Sequence, residues 1–232
     1  MSAVARLAFD GLVAGYGSAP VVRGVSGTVA GGEVLCIIGR NGVGKSTLLK
    51  MLVGYLRLWQ GSVLLDGRAI DALEPSDRRA AGISYCPQER PVFDDLSVRD
   101  NLTLMRAERT LDAFDSLFQR FPILSRRQSQ LAGTLSGGEK KILSFVRGLS
   151  ERQALTVLDE PSEGVQWENT LQMQAVIEQR RQEGASFIVV EQNLAFAERI
   201  ADCYLAIDQG RVTLSARAAN VSRNDLLAHL HV

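Results

Sequence analysis

The stretch VLCIIGRNGVGKSTLLKML, residues 34–52, constrains the fold of this chain more than any other. Residues 34–38 are a continuous apolar run, as a parallel strand buried on both faces requires. Gly39, Gly42 and Gly44 follow, and then Lys45, Ser46 and Thr47. The spacing G-x-x-x-x-G-K-S is that of a phosphate-binding loop between a strand and a helix. Its glycines let backbone N–H groups curl around phosphate oxygens. The helix that begins near Lys45 points its positive end at the same anion. In such a loop Lys45 reaches the β- and γ-phosphates and Ser46 holds Mg²⁺, and Asn41 and Thr47 lie in the same nucleotide-binding segment.

Three further segments carry chemistry. In ALTVLDEPSEG, residues 154–164, a second apolar run reads as a strand that ends in acid. Asp159 is placed to hold the Mg²⁺ shell, and Glu160 to polarise an attacking water. In LSGGEKKILSFVRGL, residues 135–149, Ser136 and Glu139 have the spacing of a capping box. Ile142, Leu143, Phe145, Val146 and Leu149 form the apolar side of the helix that follows. Capping alone would not require Gly137 and Gly138, because glycines weaken a helix. A bare helix start with a serine is a second anion site. In SFIVVEQN, residues 186–193, the β-branched Ile188, Val189 and Val190 run directly into Glu191, Gln192 and Asn193. Open α/β sheets bind ligands at such carboxyl ends. The two histidines, His229 and His231, fall in the last four residues, so an amide stands here where a titrating ring could have stood.

Composition narrows the class. A length of 232 residues allows one large domain or a core with a subdomain. Lys plus Arg and Asp plus Glu are 26 each, so no basic excess favours nucleic acid. Cys36, Cys86 and Cys203 are far apart among apolar neighbours, and read as buried free thiols in a reducing compartment. The segment MSAVARLAFDG does not read as a signal peptide, and no run approaches the roughly 18 apolar residues of a membrane span.

The remaining pattern places these motifs. Residues 5–34 read as short β segments with glycine-rich turns. Residues 62–65 and 68–70 read as a hairpin around Asp66-Gly67, a pair that favours a type I′ turn. Residues from about 90 to 148 read as helical, with Leu111, Phe114, Leu117, Phe118 and Phe121 on one apolar side that Pro122 ends. Residues 201–216 read as a closing hairpin turned at 208–210, and 221–232 as a short helix.

A phosphate loop, then LSGGE, then a strand ending in Asp-Glu resembles the ATP-binding subunit of an ABC transporter, over almost the whole chain from Leu7 to about Val212. The resemblance implies an α/β P-loop NTPase core with an N-terminal antiparallel β-subdomain and an inserted α-helical subdomain. It makes residues 1–232 one ABC ATPase domain, with core and β-subdomain over about 5–88 and 150–215 and the helical signature subdomain over about 89–149. Tyr16 matches the aromatic residue that stacks on adenine, and Gln88 the glutamine that senses Mg²⁺ and the permease. Ser136, Gly137 and Gly138 match the signature that closes over the ATP held by a second subunit.

SYCPQERPVF and VVEQN are similar to the ATPases of importers for branched-chain amino acids and urea, which commonly carry E-Q-N where most ABC ATPases have a switch histidine. Gln192 then falls at the histidine's place as the γ-phosphate contact, and Gln166 at the place of an aspartate in the following loop. Trp167 stands where a proline is usual, and Glu89 and Pro91 depart from the common loop that faces the permease. The resemblance implies an ATPase that uses ATP and Mg²⁺ and drives an importer from the inner face of the cell membrane. Its partners would be transmembrane permease subunits, a second like or paralogous ATPase and, indirectly, a solute-binding protein. An exporter or lipid-transport ATPase and a nucleotide-gated module outside transport are the alternatives.

Overall fold

The structure, a computed structural model, describes residues 5–106 and 108–230. The chain opens with a hairpin, β1 (Ala5–Tyr16) and β2 (Ala19–Ala30), and enters the buried strand β3 (Val34–Ile38) and helix α1 (Lys45–Leu52). A second hairpin, β4 (Gln60–Leu65) and β5 (Arg68–Ala69), is followed by α2 (Pro75–Ala80) and β6 (Ile83–Cys86). Helices α3 (Val98–Thr103), α4 (Asp115–Arg120), α5 (Pro122–Arg126) and α6 (Gly137–Ser150) occupy the middle. Then strands and helices alternate through β7 (Leu155–Asp159), α7 (Trp167–Gln182), β8 (Ser186–Val190), α8 (Leu194–Ile200) and β9 (Cys203–Asp208). Strand β10 (Arg211–Arg217) and helix α9 (Arg223–Ala228) complete the described chain.

The central sheet has the order β10-β9-β3-β8-β7-β6, parallel except for β10. A separate antiparallel sheet has the order β2-β1-β4-β5. Every residue of β3, β7 and β8 is buried, because both faces of the central sheet are covered. Alternation divides their apolar runs between two clusters. Leu35, Ile37, Val157 and Ile188 pack with α1 and the antiparallel sheet, while Cys36, Ile38, Leu158 and Val189 pack with α6, α7 and α8. Val190 pairs with both Ile37 and Asp159, so the carboxyl ends of β3, β8 and β7 finish level on one edge.

A buried cation fixes the far end of α1. Arg78 of α2 is 2% exposed. Its guanidinium donates to the carbonyls of Met51 and Leu52 at 2.8 and 2.9 Å, and to those of Leu73 and Asp71 at 3.1 Å each. The first two lie in the last turn of α1, where the Met51 carbonyl also accepts from the Gly54 amide at 3.2 Å, and a cation there suits the helix dipole.

The structure departs from the sequence reading in several places. Residues 5–34 hold two strands of 12 residues rather than several short ones. Register shifts interrupt their pairing, and the bulges break the alternation that would have marked one long strand. Residues 90–148 are not continuously helical: α3, α4 and α5 have six, six and five residues, and Ser97 bridges Leu131 as a short antiparallel pair. The expected helix over 111–121 is a 3-10 turn, Asp112–Phe114, running into α4, and Pro122 starts α5 rather than simply ending a helix. The hairpins hold as read. Asp66 and Gly67 have φ of 48° and 76°, as a type I′ turn needs, and Gln209 and Gly210 repeat the pattern before β10. Helix α9 lies where a short terminal helix was expected, while His231 is outside the described residues. Cys36 and Cys86 are buried free thiols, but Cys203 is only half-buried.

Arg78→Met removes the guanidinium from four carbonyls, of which that of Met51 keeps only the Gly54 amide, and is expected to lower unfolding free energy by about 3 kcal/mol. A fall in the urea midpoint with an unchanged slope is the expected reading; an unchanged midpoint would contradict the role given to Arg78.

Candidate nucleotide site

The glycine loop leaves β3 under tight constraint. Gly39 has φ of 147°, and a Cβ there would lie 2.3 Å from the carbonyl oxygen of Ile207 on β9. Gly44 offers α1 no side-chain cap, so the first-turn amides of the helix face out of the loop without a protein side chain to satisfy them. Phosphate oxygens fit that set of donors. Lys45 is 4% exposed, and its Nζ donates to the carbonyls of Gly39 and Arg40 at 2.7 and 2.8 Å. Burial pushes its pKa down, while the carboxylates of Glu160, Asp159 and Glu191 pull it back up.

The end of β7 lies opposite. Ser46 Oγ donates to Asp159 Oδ1 at 3.2 Å, and Tyr85 Oη donates to Asp159 Oδ2 at 3.4 Å. Burial raises the pKa of Asp159, a trend that the Ser46 hydrogen bond opposes and the neighbouring Glu160 reinforces. Among the described residues no group of three or more His, Cys, Asp or Glu could hold a metal ion by itself. A hydroxyl and one carboxylate beside a phosphate loop fit Mg²⁺, which keeps phosphate and water ligands and is seldom caged by protein alone.

Glu160 is 5% exposed and has φ of 49°, in the left-handed region. Its Oε1 accepts from Gln192 Nε2 at 2.6 Å and lies 4.0 Å from Lys45 Nζ, and its Oε2 accepts from Gln88 Nε2 at 2.8 Å. Gln192 Nε2 also donates to Asn41 Oδ1 at 2.6 Å. Both amide protons of Gln192 are therefore engaged within the protein, one by the glycine loop and one by Glu160. The next turn is set by Glu191, whose buried carboxylate accepts from the amides of Ser162, Gln192 and Asn193 at 2.9, 3.0 and 3.1 Å. Burial raises the Glu191 pKa against the pull of these hydrogen bonds.

Asn41, Lys45, Ser46, Gln88, Asp159, Glu160 and Gln192 thus meet at one edge of the sheet. Thr47 is buried in α1 behind them. Ser136, Gly137 and Gly138 do not join this cluster. They line a separate recess of about 670 Å³ with Glu163, Gly164 and Gln166, and the capping box of Ser136 and Glu139 is formed as read. Tyr16 is 52% exposed at the end of β1, on the hairpin whose Val21 lies against Gly44. Trp167 is also exposed, with the Arg199 guanidinium 5.8 Å from its ring centre. A groove of about 420 Å³ opens beside the site between Tyr55, Tyr85, Arg90, Phe93, Met105 and Arg147.

Reading the sequence alone gave no role to Tyr85, Lys141, Glu163 or Glu191. Glu163 stands three residues after Glu160 and Tyr85 three before Gln88, which was the available signal. Only the sheet order shows what each of them touches.

A strand, glycine loop and helix facing a strand that ends in paired carboxylates define a P-loop nucleotide-binding protein of α/β class. Residues 22–163 match the family model described as ABC transporter, and the chain belongs to that family. It is 35% identical to the high-affinity branched-chain amino acid transport ATP-binding protein BraG of Pseudomonas aeruginosa, over 94% of this chain and 95% of that one. It is 32% identical to the lipopolysaccharide export system ATP-binding protein LptB of Escherichia coli, over 97% of this chain and 90% of that one. The solved structure of an ATP binding subunit of an ABC transporter superposes with a TM-score of 0.85 at 23% identity, covering 96% of this chain and 98% of that one. The chain is an ABC ATP-binding subunit and an ATPase.

Because burial holds the Asp159 pKa above its unfolded value, any stability that the group lends is present in acid and lost as pH rises through the folded value. Asp159→Asn is therefore expected to raise Tm at neutral pH by roughly 2–4 °C, as about 1 kcal/mol does at this size, with the gain vanishing toward pH of about 3. Thermal melts of both proteins across pH check the sign; a lower Tm for the variant at neutral pH would contradict it.

Proposed function

We propose that this chain is the ATP-hydrolysing motor subunit of an importer for branched-chain amino acids, urea or a related small amide or acid. The observation that carries the proposal is Gln192, held between Asn41 and Glu160 at the place where a histidine is more usual. An E-Q-N segment is what the resemblance to that importer class rests on, and the identity to BraG supports the same class. The identity to LptB supports export as the second reading.

In the proposed site, Tyr16 stacks on adenine, the loop from Gly39 to Gly44 wraps the phosphates, and Lys45 neutralises the terminal ones. Thr47 belongs to the same loop-to-helix junction. Ser46, Asp159 and Gln88 surround Mg²⁺. Glu160 orients and polarises the attacking water, while Gln192 fixes the angle of that carboxylate with one amide proton and turns the other from Asn41 to the γ-phosphate when nucleotide binds, without carrying charge. Ser136, Gly137 and Gly138 face the nucleotide held by a second ATPase subunit. Core and β-subdomain span about 5–88 and 150–215, and the helical signature subdomain about 89–149. ATP-binding subunits of this family work with transmembrane permease components, and the groove beside Tyr85 is the proposed seat of a permease segment. Among the described residues no helix is long and apolar enough to cross a membrane, and we place the chain on the inner membrane face through that partner.

The test is reconstitution with the copurified permease in vesicles, with the solute-binding protein and candidate solutes outside. ATP turnover stimulated by loaded binding protein, with solute entering, is the expected outcome. Turnover that responds only to a lipid substrate moving outward would replace the importer reading with export. Two variants probe the site itself. Glu160→Gln is expected to bind ATP, hydrolyse it very slowly and accumulate as a dimer in light scattering with Mg-ATP. Gln192→Ala is expected to lose roughly 10²- to 10³-fold in turnover with little change in ATP binding, as for loss of one oriented donor. Near-normal turnover in Gln192→Ala would leave water positioning to Glu160 alone.

A further inference from the structure

We infer that Lys141 is a positioning residue for hydrolysis, tying the loop after β7 to the first turns of α6. The inference rests on the reading of Glu160 given above. Lys141 Nζ donates to the main-chain carbonyl of Glu160 at 2.8 Å and lies 3.3 Å from Glu163 Oε2. The lysine side chain is 11% exposed and that of Glu163 is 59% exposed. The ion pair alone is half in water and contributes little, so the sheltered contact to the carbonyl is the one that matters.

That carbonyl belongs to a residue in an unfavourable backbone conformation. A non-glycine residue at φ of 49° stays there only where its surroundings hold it. The Glu160 amide donates to the Val190 carbonyl at 2.9 Å, so β8 holds one side of the residue. Lys141 holds the other with the short bond, helped only by the Glu163 amide, which reaches the same carbonyl at 3.4 Å. Removing the lysine leaves the Glu160 carbonyl to that long bond while the strand contact stays in place.

Two further contacts extend the tie. A Cβ on Gly138 would lie 2.5 Å from the Gly164 carbonyl oxygen, so the start of α6 and the loop after β7 touch backbone to backbone. Gln88 Nε2 divides its two protons between Glu160 Oε2 and Glu163 Oε2, at 2.8 and 3.1 Å. Lys141 therefore sets Glu160 through its main chain and, by way of Glu163 and Gln88, through its carboxylate. The signature helix is coupled to the catalytic carboxylate of its own chain, separately from any nucleotide that it faces on a second subunit.

The test is steady-state ATPase kinetics of the full chain in its transporter complex, for the parent, Lys141→Met, Lys141→Arg and Glu160→Gln, with a melting temperature for each. Lys141→Met is expected to lower kcat about 10-fold with KM for ATP within about twofold, the signature of an interaction that matters in the transition state. Lys141→Arg restores part of kcat, because a guanidinium N–H can reach the same carbonyl. An unchanged kcat in Lys141→Met beside a slow Glu160→Gln overturns the inference and leaves Glu160 in its role. A kcat loss that follows a lowered melting temperature and disappears on cooling also overturns it. Normal turnover in Glu160→Gln overturns the reading of Glu160 and this inference with it.

Discussion

A lysine ammonium enclosed at the end of β3 is the constraint from which the rest of this site follows. Lys45 is held by two carbonyls of its own loop, and burial works against its charge. An uncompensated buried charge costs several kcal/mol, so negative groups must be brought to it. They come from β7, two strands away across β8, and the shared pairing of Val190 brings Asp159 level with the loop. Asp159 and Glu160 are buried in turn and repel each other, so each needs donors. Ser46 and Tyr85 serve Asp159, and Gln192 and Gln88 serve Glu160. One enclosed cation thus dictates a fully connected polar cluster, which is rigid because each member satisfies its neighbour.

The cluster is joined to the surface on two sides. Tyr85 forms part of the wall of the groove and touches Asp159 through its hydroxyl, so a segment pressed against that ring stands one side chain from the carboxylate pair. Tyr55 lies 5.8 Å from Tyr85, ring centre to ring centre, and Arg147 lies over the ring of Phe93. The groove is therefore lined by aromatic rings and cations that are already packed before any partner arrives. On the other side, the recess of Ser136 adjoins Glu163 and Gly164, which belong to the same loop as Glu160.

The segments whose structure depends on near neighbours were legible from sequence. The run 34–52 gave strand, loop and helix because apolar burial, glycine spacing and a helix start act within 20 residues. Asp66-Gly67 gave its hairpin, and Ser136 with Glu139 gave a capped helix, for the same reason. The long strands β1 and β2 were obscured by bulges that reset the alternation. The stretch from 90 to 135 carries aromatic residues at helical spacing, but its short helices are fixed by contacts such as the Arg99 and Gln128 backbone bond, which no local pattern encodes. The site followed the same division. Lys45, Asp159 and Glu160 announce themselves within motifs. Lys141 and Tyr85 do not, because their partners lie across a sheet whose strand order the sequence does not spell out. Gln192 was legible as an amide at a strand end, but its double attachment to Asn41 and Glu160 was not.

The amides around Glu160 have a consequence for how such a motor meets its surroundings. Of the two imidazoles in the chain, His229 sits beside Thr213 on β10, remote from the cluster in the contacts that it makes. Asn41, Gln88 and Gln192 neither take up nor release a proton near neutrality. A fall in pH does not recharge these three contacts. The amide bonds to the Glu160 carboxylate and to the glycine loop therefore keep their pattern where an imidazole would change its own, and any answer to acidity is left to the buried Asp159 carboxylate beside them.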